Sequence, residues 1–327
     1  FMLYLTTGLV HPAFNVSREH MDLIDEAAID MPPGLRPVED EPHPVDRYIR
    51  TTKHCEQQWS EAMVRNIRHC YFGMIAALDE MVGQVLGALD ELGLRESTYV
   101  IFSSDHGEMA GEHNQILKRT MYEPSVHEPL IISGPGVQKG ATVNTPVSLI
   151  DIYPTLMDMG RLDYTDFTAH PGYPETLDGE SLMPQLTGDA PRRRDWAFSE
   201  YNGDRCNTGA YMLRRGPWKY VKYIGYDPQL FHLEDDPWEM DDLAAARPEV
   251  VEELDAILMA NFDCEGIENF PTGYVREHFV TWREEQKKLG TYEETMALVY
   301  SGFDRMCIED IVPWSAEDEQ QIEEWLG

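Results

Sequence analysis

The chain has 327 residues, with 26 Lys and Arg against 59 Asp and Glu, a net charge of −33 and 42% apolar residues. At ~100–200 residues per domain that length holds one large domain plus a smaller one, and the apolar share excludes wholesale disorder. The charge excludes a basic nucleic-acid face, and no uninterrupted apolar run approaches the ~20 residues of a membrane span. Seven Lys against nineteen Arg make a low-lysine, carboxylate-rich surface, which suits a salt-adapted protein and an ordinary acidic one equally. The five cysteines (Cys55, Cys70, Cys206, Cys264, Cys307) show neither CxxC nor zinc spacing. They argue against a disulfide scaffold and leave room for one bridge.

In chain order, Phe1 to Thr7 is apolar enough for a buried strand that leads through Val10 to His11-Pro12. A chain opening inside a core strand reads as the carboxyl-terminal part of a longer protein, with an apolar face left uncovered. Asn15-Val16-Ser17 fits a glycosylation acceptor, within a Pro-, Asp- and His-rich excursion over 15–58. Ser60 can cap a helix over 61–92, whose apolar positions recur three or four apart and which Gly93 ends as a left-handed cap. A β-branched strand follows at 97–103, then the segment Ser103-Ser104-Asp105-His106-Gly107-Glu108. Residues 129–133 form a further strand closed by Gly134-Pro135-Gly136, and Thr145-Pro146 opens a helix running through Leu156 to Gly160.

Strands alternating with helices predict an α/β fold, a mostly parallel sheet flanked by helices. Composition shifts at 191–194. Beyond it, segments at 196–201, 210–214, 218–223 and 229–233 read as short antiparallel strands, covered by a helix over 249–260. The division is thus 1–194 for the larger part and 195–327 for a smaller α+β part with an acidic, helical tail.

Asp105 and His106 stand just past the carboxyl end of a strand, where open parallel sheets place ligands. A hard oxygen and an imidazole nitrogen suit a divalent cation, but two donors are not a shell: calcium takes six to eight, mostly oxygens. The imidazole widens the choice toward manganese. The alternative has Asp105 capping the loop backbone and His106 packing under Gly107. Lys118, thirteen residues on, can return to the same mouth and neutralise a sulfate or phosphate oxygen, or else sit solvated at the surface. His11 ends the first strand at the same edge; His113 and His127 have weaker placement.

The order His11-Pro12, Ser104-Asp105-His106-Gly107-Glu108, Gly111-Glu112-His113, Lys118, Met121-Tyr122-Glu123 and Pro129-Leu130-Ile131-Ile132 resembles the sulfatase family of the alkaline-phosphatase-like superfamily. Leu149-Ile150-Asp151-Ile152-Tyr153-Pro154, Leu177-Asp178-Gly179 and Trp218-Lys219-Tyr220 extend the likeness over most of 1–250. His43-Pro44-Val45-Asp46-Arg47-Tyr48 and Tyr211-Met212-Leu213-Arg214 are most similar to its arylsulfatase K branch. The resemblance implies that Asp105 and His106 are metal ligands for Ca2+ (Mn2+ or Mg2+ as alternatives) and that Lys118 holds a sulfate oxygen. It also implies that His11, as a protonated imidazole, assists departure of the alcohol, with His113 a further substrate contact. It implies a sulfated small molecule or uronic-acid-containing carbohydrate as partner, and an extracellular, periplasmic or lysosomal place.

One element departs from the family. Its formylglycine nucleophile arises from Cys-x-Pro/Ala-x-Arg, and none of the five cysteines has that sequence. The expectation is a sulfatase fragment, inactive alone, with the formylglycine in a preceding segment. A phosphodiesterase or phosphonate monoester hydrolase of the same superfamily, and a non-catalytic paralogue, are the alternatives.

Overall fold

The computed structural model describes residues 1–32, 43–53, 55, 59–164, 176–189, 194–203, 206–300, 315–316, 319–320 and 322–323, with the backbone alone at 265, 267–276 and 298–300. The composition break at 191–193, Cys307 and much of the acidic tail lie outside them. Contacts group the chain into two units, Phe1–Asn261 and Phe262–Gly327.

Two sheets are described, and both are antiparallel. The first pairs β1 (Val100–Ser103) with β2 (Leu130–Ser133), Val100 opposite Ser133 and Ser103 opposite Leu130. The second is a meander of β3 (Trp196–Tyr201), β4 (Ala210–Arg215), β5 (Trp218–Tyr223) and β6 (Gln229–His232). The meander agrees with the reading of four short strands; the mostly parallel sheet is absent among the described residues. Residues 1–7 are likewise not a strand: the segment has no regular structure and is open, with Phe1 90% and Tyr4 79% exposed. An apolar run becomes a strand only when a neighbour receives its backbone hydrogen bonds, and none does so among the described residues.

Helix α1 (Arg18–Met21) lies on helix α3 (Glu61–Glu91), Met21 and Val16 packing 3.3 Å from where a side chain at Gly73 would begin. Ser60 caps α3 by accepting from the Met63 N–H at 3.2 Å, and Gly93 adopts φ 67° beyond its end. Both follow the sequence signals. One 18-residue stretch of α3 has mean hydropathy 1.4, long and apolar enough by composition to cross a membrane, with only 11% of it buried. The expectation of no span-length segment therefore holds for uninterrupted runs and not for this helix. Met63, Ile75, Met81 and Val85 give it an exposed apolar side.

Helix α2 (Pro44–Thr52) presents Val45 and Ile49 to Met212, Val221 and Tyr223 of the meander, and this is one core. A second joins Cys55, Trp59 and Val64 under Ile116; a third joins Met109, Tyr122 and Phe231. Helix α4 (Glu123–Val126) follows the site loop. The helix expected from Thr145 starts later: Ser148 and Asp151 form a reciprocal cap and α5 runs Ile152–Gly160. Two satisfied N-terminal donors outweigh a proline start. Helix α6 spans Met183–Thr187, and α7 (Pro248–Asn261) packs on β4 and β5. In the second unit, α8 (Cys264–Leu289) is followed by α9 (Tyr292–Tyr300), and Arg283 pairs with Glu319 and Glu323.

The first unit is bolted by one buried amine. Lys219, on β5, is 0% exposed, and its Nζ donates to Glu123 Oε1 at 2.8 Å and Glu239 Oε1 at 2.7 Å. Burial pushes both carboxyls up, but a hydrogen bond from His127 and the Lys219 charge bring Glu123 down to about 2. Glu239 stays raised because its burial is more complete and it shares the single ammonium. Removing the amine leaves Glu239 buried and uncompensated and takes from Glu123 one of its two cationic partners, so Lys219→Met is expected to lower unfolding free energy by about 3–5 kcal/mol. Denaturant titration checks this, and a loss near zero contradicts it. Glu123 is depressed from 4.5 in the fold, so its contribution is complete above pH 4.5 and lost as pH falls toward about 2. The acid limb of wild-type stability should be shallower in Glu123→Gln.

Candidate active site

β1 delivers the chain into a loop that runs from Ser104 to Arg119. At its start Ser104 Oγ donates to the His106 carbonyl at 2.8 Å, turning the backbone so that Asp105 faces out, its side chain 86% exposed. His106 Nδ1 lies 2.9 Å from the Gly107 carbonyl. A carbonyl only accepts, so Nδ1 carries the proton and the Nε2 lone pair is left facing Asp105 Oδ2, 3.6 Å away. Gly107 is required here. A Cβ on it would stand 2.0 Å from the Pro124 carbonyl oxygen, and its N–H donates to the Ser125 carbonyl at 3.0 Å.

Glu108 turns inward. Its Oε1 accepts from the Ala110 N–H at 3.2 Å and the Leu117 N–H at 2.5 Å, closing the loop's base. Burial raises this carboxyl even though the two N–H donors pull it down. Lys118 follows Leu117 directly, and its Nζ sits 2.8 Å from His11 Nε2. His11 Nδ1 is 2.7 Å from the Pro12 carbonyl, so it donates there and Nε2 accepts from the Lys118 ammonium. The His11 ring stands edge-on to His106, centroids 6.2 Å apart. His11, Asp105, His106 and Lys118, dispersed over more than a hundred positions, thus share one mouth.

The sequence reading gave His11 a protonated ring. With Nδ1 toward the Pro12 carbonyl, Nε2 is the nitrogen that faces the Lys118 amine.

His113 is engaged elsewhere. Its ring stacks on Tyr122 at 3.7 Å and Nε2 meets the Trp238 carbonyl at 3.0 Å. His127 pairs with Glu123 at 3.1 Å. Asp105 and His106 fit one edge of a divalent cation's shell by donor type and spacing. They do not fill a shell, and no group of three or more His, Cys, Asp or Glu able to hold a metal occurs among the described residues.

Residues 1–161 match the Sulfatase family, and residues 111–262 match the family described as N-sulphoglucosamine sulphohydrolase, C-terminal. The chain belongs to the sulfatase family. It is 35% identical to arylsulfatase K of Danio rerio, aligning 100% of this chain with 62% of that protein. It is 36% identical to arylsulfatase K of Gallus gallus, over 87% of this chain and 55% of that one. The chain therefore spans somewhat over half the length of these relatives. Among solved structures, the phosphonate monoester hydrolase SpPMH from Silicibacter pomeroyi superposes with TM-score 0.66 at 25% identity, covering 77% of this chain and 53% of that one.

Several groups that shape this site carry no local signal. Lys219, Glu123 and Glu239 are ordinary charges in sequence, and only their burial gives them weight. Ala110, His113, Asn114, Leu117 and Arg119 all have positive φ, which suits His and Asn but which the types of Ala110, Leu117 and Arg119 do not announce. Gly107 was legible only as part of a motif; its reason is the Pro124 carbonyl. Gly107→Ala should therefore push the loop off α4, costing about 1–3 kcal/mol as overpacking does, measured by thermal or denaturant unfolding. An unchanged midpoint would contradict the close approach.

Proposed function

We propose that this chain supplies part of the catalytic site of a sulfuric ester hydrolase acting on sulfate esters of a small molecule or carbohydrate, a uronic-acid-containing glycan by likeness to the arylsulfatase K branch. The observation that carries the reading is the 2.8 Å approach of Lys118 Nζ to His11 Nε2 beside the Asp105–His106 pair. Hydrolysis of a sulfate monoester breaks the S–O bond to the alcohol, and water's elements end on sulfate and alcohol. Two demands follow: charge on the three peripheral oxygens must be neutralised, and the departing alkoxide must receive a proton. Lys118 serves the first as a compact point charge. His11, its Nδ1 fixed by the Pro12 carbonyl, presents Nε2 to the bridging oxygen and passes on a proton taken up there.

Asp105 and His106 would hold a divalent cation with donors from elsewhere, Ca2+ by family likeness with Mn2+ or Mg2+ as alternatives, and it would add positive charge at the sulfate oxygens. No cysteine of this chain fits the formylglycine pattern. In this reading the nucleophile would come from sequence outside these 327 residues. In this reading residues 1–194 belong to the catalytic part, whose mostly parallel sheet extends beyond the strands described, and residues 195–327 to the antiparallel-sheet part. Helix α3 then covers that sheet rather than spanning a membrane. The strong negative charge does not bar an anionic substrate, because distant carboxylates are screened within about 10 Å in salt while Lys118 acts at contact.

Phosphonate monoester hydrolysis is the second reading, favoured by the superposition on SpPMH. Turnover of aryl sulfate and aryl phosphonate monoesters by the full-length protein separates the two. The expected result is faster sulfate hydrolysis, a drop of about a hundredfold or more in Lys118→Ala and His11→Ala, and loss on chelation of divalent ions. Faster phosphonate turnover supports the second reading. Full activity in Lys118→Ala contradicts both.

A further inference from the structure

Lys53 lies outside every motif described above, yet it is buried at 7% exposure and placed beneath the site loop. It sits at the end of α2, where its N–H meets the Ile49 carbonyl at 3.1 Å and the Arg50 carbonyl at 3.2 Å, and Cys55 N–H returns to the Arg50 carbonyl at 2.9 Å. The residue is thus rooted in a helix that packs on the meander. From that root its Nζ donates to Gln115 Oε1 at 2.9 Å, and Gln115 is fully buried. The neighbouring side chain is held from the same segment: Asn114 Nδ2 donates to the Cys55 carbonyl at 2.9 Å, and Asn114 Oδ1 accepts from the Trp59 N–H at 3.3 Å.

We infer that Lys53 is a positioning residue for Lys118, its buried ammonium holding the loop from Glu108 to Arg119 in the arc that brings the Lys118 amine to His11. The backbone of that loop hinges on Gln115. Gly111 N–H donates to the Gln115 carbonyl at 2.8 Å, Gln115 N–H to the Glu112 carbonyl at 2.9 Å, and Met109 N–H to the Leu117 carbonyl at 2.9 Å. Fixing the Gln115 side chain therefore fixes the hairpin-like return that ends at Leu117 and Lys118. Five non-glycine residues between Ala110 and Arg119 occupy the left-handed region. Such a backbone persists only where its surroundings over-determine it. Arg68 from α3 adds a tie, Nη1 to Glu112 Oε1 at 3.3 Å, beside those made by Lys53 and Asn114. Burial, opposed by Cys55 and Glu108, brings the Lys53 amine down to about 7, so holding a charge there is costly in a way that a surface lysine is not. The Gln115 Nε2 atom is buried with no hydrogen-bond partner, so the Lys53 bond is the polar contact that orients that side chain. The inference rests on the sulfatase reading for what Lys118 does chemically; the loop geometry stands apart from it.

The test compares Lys53→Met, which keeps length and loses the donor, with Lys53→Arg, which keeps charge. Amide hydrogen exchange over 108–119 and the acetylation rate of Lys118 with acetic anhydride read the loop. Aryl sulfate kinetics of the full-length protein read the site. In Lys53→Met, exchange over 108–119 should quicken at least about tenfold while β4 and β5 stay unchanged, and Lys118 should acetylate about threefold faster or more, since an amine freed from His11 is more accessible. KM should rise about tenfold with a smaller change in kcat, and Lys53→Arg should recover both within about threefold, as expected when ground-state anion binding is what was misplaced. A folded Lys53→Met with wild-type exchange and acetylation overturns the inference. If the wild type turns over no sulfate ester while the loop results hold, the positioning role stands and the sulfatase reading falls. Should Lys53→Met fail to fold, Gln115→Met removes the same bond from the other end. Wild-type exchange decides as well: a 108–119 loop exchanging like an unstructured peptide overturns the proposal.

Discussion

The Lys219 ammonium, shared between Glu123 and Glu239, is the constraint on which the site's geometry depends. It joins a strand of the meander to the short helix that follows the site loop, across a separation of 96 residues in sequence. Glu239 reinforces the join by accepting from the Glu123 N–H at 2.6 Å. The helix so fixed presents the Pro124 and Ser125 carbonyls against which Gly107 lies. The sheet thereby sets the height at which Asp105 and His106 leave β1. An isolated buried ion pair is weak evidence for stability, because desolvation offsets much of its attraction. Here its value is positional: charge pairing with fixed geometry tolerates few alternative registers.

The loop itself is held from two sides. Meander and α4 support its start and end through Gly107, Met109 and Tyr122; Val64 and Arg68 of α3, with Lys53 and Cys55, support its middle. Backbone in sparsely populated conformations is stable only under such bracketing. The arrangement also explains how a protein of charge −33 can present a cationic point to solvent. Of the loop's carboxylates, Glu108 and Glu112 are turned inward onto backbone N–H groups and Arg68, and Asp105 faces out beside His106. Lys118 is left directed outward at His11.

What was legible in the sequence is what local physics decides. The apolar spacing of 61–91, its Ser60 cap and Gly93 stop, and the four strands of the meander were all readable because each signal lies within a few residues of its effect. The juxtaposition of His11, Asp105, His106 and Lys118 was readable through motif order. The first apolar run was misjudged as a strand because strand formation needs a partner, and period alone does not supply one. Antiparallel pairing of β1 with β2 was missed for the same reason: direction is set by the connection, here the loop that carries the site. Lys53 gave no signal and Lys219 only a place in a motif, since a lysine's role changes on burial.

Diffraction from crystals of the full-length protein soaked in selenate tests the convergence of these four side chains most directly. Selenate is a sulfate isostere whose anomalous scattering locates the anion without reference to any catalytic step. The account predicts one peak with oxygens within about 3.5 Å of Lys118 Nζ and His11 Nε2, on the side facing Asp105 and His106. An ordered selenate bound elsewhere, with none at Lys118, would contradict it.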